Sequence, residues 1–309
     1  MLNIILATYN GRIYLKEQIE SILNQDYQDF KLIIRDDDSM DGTADLVDTF
    51  EMMHPEKIRV IHDDKKAGSA AKNFFILMKE AADADYIMFA DQDDFWEPWK
   101  VSKAVKRMEQ AEEMCGKETP LLCHGDPLVA DEKLHTIEKS MGKMQKLNYK
   151  RHEFNDFLVQ NSVTGCTMII NKALNDMCTV MPDEAIMHDW WLALIASAYG
   201  RVFYLGEAGI RYRQHPSNTE GVKNLKSPAY IVKKAFDRKS LKESVEKTYA
   251  QAKAFQDVFG DTIDIEKAET LTMYIGMEKM GRLSKWKTMK DYHFKKSGFS
   301  RQSGYLFFG

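Results

Sequence analysis

The sequence is short of cysteine. Its four residues, Cys115, Cys123, Cys166 and Cys178, are scattered with no C-x-x-C spacing and no partnered histidines. A disulfide framework is therefore not expected, and the thiols read as reduced. No apolar run approaches the roughly 20 residues of a membrane span. The chain starts directly on Leu2-Asn3-Ile4-Ile5-Leu6-Ala7 with neither basic leader nor cleavage site, so the expectation is a protein made and kept in the cytoplasm. G-x-G-x-x-G does not follow the first apolar run, and G-x-x-x-x-G-K-[ST] occurs nowhere, which sets aside dehydrogenase and P-loop chemistry. Internal repeats, low-complexity stretches and Gly/Ser linkers are missing as well. Nor is there a basic surplus: a net charge of −4 argues against a general nucleic-acid binder, and no nucleic-acid partner is expected.

What is there is unevenly distributed. Residues 279–309 hold eight Lys or Arg against the single acid Asp291, so the rest of the chain is at about −11. In this tail Lys285, Trp286, Lys287, Lys290, Tyr292, Phe294, Lys295, Lys296, Phe299 and Arg301 interleave cations with aromatics. Such a composition suits the surface of an anionic membrane, and equally a solvated helix whose aromatics pack on the domain. At 309 residues, the chain fits one large domain or a catalytic domain with a smaller appendage.

The first 130 residues alternate strand-like runs (2–7, 31–35, 58–61, 86–90, 121–123) with helix-like spacing in Leu15, Ile19, Ile22 and Leu23, in Leu46, Val47 and Phe50, and in Phe74, Phe75, Leu77 and Met78. This alternation predicts an α/β fold, a mostly parallel central sheet flanked by helices. Ligands of such sheets sit beyond the carboxyl ends of the strands. Each strand here ends in polar residues: Thr8-Tyr9-Asn10-Gly11, then Asp36 to Thr43, then 63–73, then Asp91-Gln92-Asp93-Asp94. Turn and cap chemistry accounts for Asp41-Gly42-Thr43, where Asp41 or Thr43 suits the start of a helix. It does not account for three carboxylates in FADQDDFW, residues 89–96, because acids are costly to desolvate without a cation or donors nearby. Asp-x-Asp at a strand end suits Mg²⁺ or Mn²⁺, which take oxygen ligands and finish their shells with water and phosphate oxygens. Toward the C-terminus, Leu241, Val245, Tyr249, Ala252 and Phe255 repeat at helical spacing among lysines and glutamates, which predicts helices packed on the main domain.

Taken in order, Ala7-Thr8-Tyr9-Asn10, Arg35-Asp36-Asp37-Asp38-Ser39-Met40-Asp41-Gly42-Thr43, Ala67-Gly68-Ser69-Ala70-Ala71-Lys72-Asn73, Asp91-Gln92-Asp93-Asp94 and Asp189 resemble the inverting family 2 glycosyltransferases, with their nucleotide-sugar-binding GT-A fold. Asp91 to Trp96 and Tyr212-Arg213-Gln214-His215-Pro216-Ser217-Asn218 look like the bacterial rhamnosyltransferase branch, which uses dTDP-L-rhamnose to build cell-wall or capsular polysaccharide. The resemblance implies a catalytic domain over 1–220, with a nucleotide-binding half to 125 and an acceptor-binding half from 126, followed by a basic helical extension over 221–309. It also implies that Thr8, Tyr9 and Asn10 line the pyrimidine pocket, with Asp36 accepting from the base and Asp37 beside it. Asp91 would hold the ribose or base side, and Asp93 the metal bridging the two phosphates. Family members often carry Gly at the position of Asp38 and Arg at that of Lys72; Lys72 could still meet a phosphate as a point charge. Where this chain has His188-Asp189, relatives commonly have Glu-Asp. Asp189 is the implied base for the acceptor hydroxyl, and its simpler role is the N-cap of a helix over 190–199.

Arg211, Arg213 and His215 would share one face of a strand. Arg213 and His215 are expected at the diphosphate or metal, and Arg211 either there or in a structural ion pair. His188 is expected to support Asp189 or the fold rather than bind metal. Trp96, Asp94 and Trp190 are expected near sugar or acceptor, and Gly165 either at a close approach to the donor sugar or at a plain bulge. The implied partners are a dTDP- or UDP-sugar, a saccharide acceptor linked to polyprenyl diphosphate, and the inner face of the cell membrane. Two rivals stand beside this reading. A nucleotidyltransferase would place a Gly-rich, basic loop after the first strand, and Ala7 to Arg12 matches that poorly; a non-catalytic assembly subunit would have no need of Asp91, Asp93 and Asp189.

Overall fold

The computed structural model describes residues 1–63, 65–216, 218 and 238–308; Ser217 and the boundary expected at 220 lie outside them. The first half runs β1 (Leu2–Thr8), α1 (Arg12–Leu23), β2 (Phe30–Asp36), α2 (Thr43–Met53), β3 (Ile58–Val60), α3 (Ala70–Glu80), β4 (Tyr86–Ala90), β5 (Phe95–Trp96) and α4 (Lys100–Cys115). Then come β6 (Leu121–Ala130), β7 (Thr136–Glu138), α5 (Met141–Gln145), α6 (Phe154–Val159), β8 (Ile169–Asn171), α7 (Lys172–Met177), α8 (His188–Tyr199) and β9 (Arg201–Arg213). Four further helices complete the described chain: α9 (Arg238–Phe259), α10 (Ile265–Gly276), α11 (Arg282–Asp291) and α12 (Phe299–Phe308).

The strands form one sheet in the order β3-β2-β1-β4-β8-β6-β9-β5, with β7 hanging on β6. β1 is parallel to β2 and β4, β2 to β3, and β6 to β9, whereas β5, β7 and β8 run against their neighbours. The expected mostly parallel α/β sheet is present. β1 is apolar nearly throughout because both of its faces are covered. Its period of two sends Ile5, with Ile33, Ile87 and Phe89, into the core under α3, α6 and α8. Leu2, Ile4 and Leu6 go to the opposite core, against Leu15, Val47 and Val101 of α1, α2 and α4. Strands β5, β7 and β8 and most of β9 are not legible beforehand. The first three are two or three residues long, and β9 carries positive-φ glycines at 206 (φ 83) and 209 (φ 67) that break its alternation.

The C-terminal helices share the first of these cores: Val245, Tyr249, Phe255, Leu271, Tyr274, Phe294 and Tyr305 belong with Trp191 and Phe154. This alters the reading of the basic tail. Phe294 and Tyr305 are buried, and Tyr292 donates its hydroxyl to Glu269, so these aromatics pack inward. On α11, however, Leu283 is 80% and Trp286 40% exposed, flanked by exposed Arg282, Lys287 and Lys290. Among the described residues, no helix is long and apolar enough to cross a membrane.

Candidate active site

The turns after β1, β2 and β4 meet at the carboxyl edge of the sheet. Gln92, which sequence reasoning passed over, ties two of them together: its Oε1 accepts from the Thr8 hydroxyl (2.8 Å) and the Tyr9 amide (2.8 Å), and its Nε2 donates to the Tyr9 carbonyl (3.1 Å). The only clue was its place between two acids. Asn10, in the left-handed region at φ 48, donates its amide to Ser39 Oγ (2.7 Å) and accepts from Met40 N (2.9 Å). Asp36 accepts from the amide (2.8 Å) and hydroxyl (2.5 Å) of Ser39, and Asp38 has φ 68, the conformation for which Gly is the usual choice. Asp41 serves two helix starts, accepting from Thr43 N (3.0 Å) and Arg12 N (3.1 Å). Thr8, Tyr9, Asn10 and Asp36 are thus gathered on one side of the crevice.

Asp37 is not among them. It is buried and accepts from Arg35 (3.0 Å), Ala67 N (2.5 Å) and Gly68 N (2.9 Å), so it fastens the loop after β3 instead of facing a ligand. Arg35, fully buried, needs these partners together with Asp63 (3.0 Å) and Asn73 (2.9 Å), because a desolvated guanidinium must have its donors satisfied. Lys72 is half exposed and pairs with Asp183 at 2.7 Å.

At the floor, Asp93 Oδ2 lies 2.8 Å from His215 Nε2 and 3.4 Å from Asn218 Nδ2. Burial, followed by the charges of Asp93 and Asp189, pushes Asp91 up to about 7. Burial is the larger part of that shift, and the two neighbouring carboxylates add to it. Asp189 lies in the first turn of α8, where the helix dipole favours a negative charge, and Asn161 Nδ2 donates to its Oδ1 at 3.1 Å. The N-cap is Met187, so capping is not the role of Asp189. His188 packs on Phe74 (ring centroids 4.1 Å apart) and Phe89 (5.4 Å), and burial lowers it to about 3, a neutral spacer behind Asp189. Gly165 is explained by the same contact: a Cβ there would come 2.8 Å from His188 Nε2 and 3.6 Å from the Asp189 Cβ.

Other expected ligands point elsewhere. Trp96 is 1% exposed beneath the Lys100 ammonium, 4.2 Å from its ring centroid, and Trp190 is part-buried, donating its indole N–H to the Phe157 carbonyl (2.6 Å). Their apolar area serves the core. Asp94 is fully buried beside the Cys166 thiol; Oδ1 accepts from Arg213 N (3.2 Å), Oδ2 has no hydrogen-bond partner among the described residues, and burial with Asp93 and Asp91 nearby raises it well above the carboxylate range. Arg213, 2% exposed, donates to the carbonyls of Asp93 (2.7 Å) and Glu132 (2.5 Å) and to Glu17, which leaves it a brace behind the site rather than a phosphate clamp. Arg211 pairs with Glu97 at 2.7 Å and also donates to the Leu134 carbonyl (3.3 Å). Both share one face, as the alternation predicts, and both are spent on protein groups.

Asp91, Asp94 and Cys166 offer ligand atoms within 4.8 Å of one another. The Cys166 thiol is buried, and burial with Asp94 and Asp91 beside it pushes it well up, so it stays protonated and a poor donor to a hard cation. The carboxylates of Asp91 and Asp93, which repel one another, fit Mg²⁺ or Mn²⁺ far better.

Residues 3–177, more than half of the chain, match the family model for glycosyl transferase family 2. A dTDP-rhamnosyl transferase of Shigella flexneri, RfbG, is 27% identical over 237 residues, 70% of this chain and 73% of its own. Among solved structures, S. aureus TarS in complex with UDP aligns with TM-score 0.56 at 17% identity, over 94% of this chain and 79% of that one. A mannosyltransferase of Pyrobaculum calidifontis, in complex with GDP-Man and Mn²⁺, gives 0.53 at 14%, over 94% and 84%. These are GT-A folds with the architecture described above. The chain belongs to glycosyl transferase family 2 and is a glycosyltransferase.

Proposed function

We propose that the protein transfers L-rhamnose, with inversion, from dTDP-L-rhamnose to a lipid-linked saccharide of a cell-wall or capsular polysaccharide. The observation that carries this reading is the contact of His215 and Asn218 with Asp93. It joins, in one site, the two segments whose residues resemble the rhamnosyltransferase branch. The RfbG similarity supports the same donor.

The nucleotide lies against Thr8, Tyr9, Asn10 and Asp36, whose oxygens keep lone pairs beyond those used by Ser39. Asp91 and Asp93 would hold the divalent cation, with His215 orienting Asp93. When bound, the cation supplies Lewis-acid neutralisation of the departing diphosphate. Asp189, held by Asn161, takes the proton of the acceptor hydroxyl as that oxygen attacks the anomeric carbon opposite the leaving group. Leu283 and Trp286, among the cations of α11, would rest on the inner face of the membrane.

Thermal melts with dTDP-rhamnose, UDP-glucose, UDP-galactose and UDP-N-acetylglucosamine, each with and without Mn²⁺, test the donor, since a true donor with metal raises the midpoint by linkage. A UDP-sugar outperforming dTDP-rhamnose would overturn the rhamnose assignment. Asp189→Asn should cut turnover by about 10²–10⁴-fold with donor binding retained; turnover that survives would remove Asp189 as the base.

A further inference from the structure

Away from the sheet edge, a groove of about 560 Å³ lies between the segment joining α5 to α6 and the segment joining α11 to α12. Its volume is that of a small-ligand site. No apolar side chain lines it: Arg151, Asp156, His293, Lys295, Lys296 and Ser297 make up most of its wall. Its apolar surface comes from the carbon stems of these polar side chains, and their charged ends give the groove its character. Its charge is one-sided. Three full cations and an imidazole face a single carboxylate, Asp156, which already accepts from Arg151 Nε at 2.7 Å. Such an excess of cation, in a chain that is acidic elsewhere, is a complement to phosphate oxygens.

The groove is also tied to the candidate base. Ser297 N donates to Gln160 Oε1 at 2.7 Å, and the next residue, Asn161, donates to Asp189 at 3.1 Å. The Arg151 carbonyl accepts from Ser162 Oγ at 3.4 Å. One short stretch, 160–162, therefore contacts both the groove and the base. We propose that this groove binds the phosphate or diphosphate group of the acceptor, so that the C-terminal segment carrying Lys295 and Lys296 holds the anionic part while the saccharide reaches Asp189. The site rests on the transferase reading above for the identity of its occupant, though not for its affinity for phosphate.

Two measurements decide the matter, both made on the full chain in metal-free buffer so that the carboxylate site does not contribute. Calorimetric titration with inorganic pyrophosphate should give a single site. Lys295→Glu, an exposed side chain, should weaken it about tenfold, and Lys106→Glu, an equal charge change at an exposed position of α4 outside the groove, should leave it within about twofold. Phosphatidylcholine vesicles containing a few per cent of polyprenyl phosphate, or the same fraction of phosphatidylglycerol, then separate the sources. Lys295→Glu should release the protein from the first and not from the second. Pyrophosphate binding that Lys295→Glu leaves intact overturns the site. So does an equal loss from both vesicles with both variants, the mark of a merely basic surface. If no sugar nucleotide stabilises the protein while Lys295-dependent pyrophosphate binding persists, the donor reading fails and the anion site stands.

Discussion

The turn that leaves β4 has two sides, and they are built on opposite principles. Asp91 and Asp93 face the crevice, where His215 and Asn218 meet one of them and the charge of Asp189 is close. One residue on, Asp94 is fully buried, in electrostatic contact with Cys166 and the buried Lys100, with one oxygen lacking a hydrogen-bond partner among the described residues. Burial pulls Lys100 down to about 7. The front is half-buried negative charge with Asp93 at its edge, the back is charge enclosed by core, and Asp91, within 4.8 Å of Asp94 and Cys166, borders both. Adjacent acids in one motif thus do different work, and the side of the turn decides which.

The comparison is broken hardest at the back. Arg213→Ala would leave Glu17 and the carbonyls of Asp93 and Glu132 without their donor, and would remove the cation stacked on Tyr14 at 4.6 Å. Because Glu17 is half exposed and regains water, the cost comes mainly from the two carbonyls left without a donor, about 1–3 kcal/mol. Urea denaturation should show that loss, with activity falling only in proportion to the folded fraction. If stability were unchanged while the donor KM rose, Arg213 would be a phosphate ligand after all.

Much of the front was legible in sequence because it obeys a local rule. Strand-end polar residues converge when strands are parallel, and Thr8, Asp36, Asp91 and Asp93 follow from that rule alone. The back was not legible. Nothing in Asp93-Asp94 distinguishes the part-buried acid that meets His215 from the enclosed one, and Trp96 beside acids looks like a sugar platform until β5 pairs with β9 and turns it inward. Arg213 misled for a related reason, since its partners Glu17 and Glu132 lie far away in the chain. Gln92, through three hydrogen bonds to Thr8 and Tyr9, and Asn161, through one to Asp189, hold functional groups in ways that no spacing announces.

A pH-dependent effect sharpens the description of the front. Asp91 has a folded pKa of about 7, above its unfolded value of about 3.9. The folded state therefore keeps a proton that the unfolded state has released across that window. The resulting cost is absent below the unfolded value, grows as pH rises, and is complete above pH 7. With EDTA present, Asp91→Asn should stabilise the protein by about 1–3 kcal/mol at pH 8 and hardly at all near pH 4. Melting curves at the two pH values check this. Equal shifts at both would mean that neither burial nor the charges of Asp93 and Asp189 hold a proton on Asp91 in the folded state.

The smallest expected effect separates two arginines on one face of β9. Arg211 is 35% exposed and its partner Glu97 25%, so solvent screens their contact at 2.7 Å. Pairs of this kind are worth roughly 0–1 kcal/mol, and Arg211→Ala should lower stability by no more than that. Its donors point to Glu97 and Leu134, on the same side as the brace made by Arg213, so the donor KM should not move. The side chains two residues apart would then differ severalfold in stability while agreeing in kinetics, as expected if burial rather than charge sets what each contributes. A donor KM that rises with Arg211→Ala at constant stability would place the diphosphate on the strand face and require Glu97 to release its partner when substrate arrives.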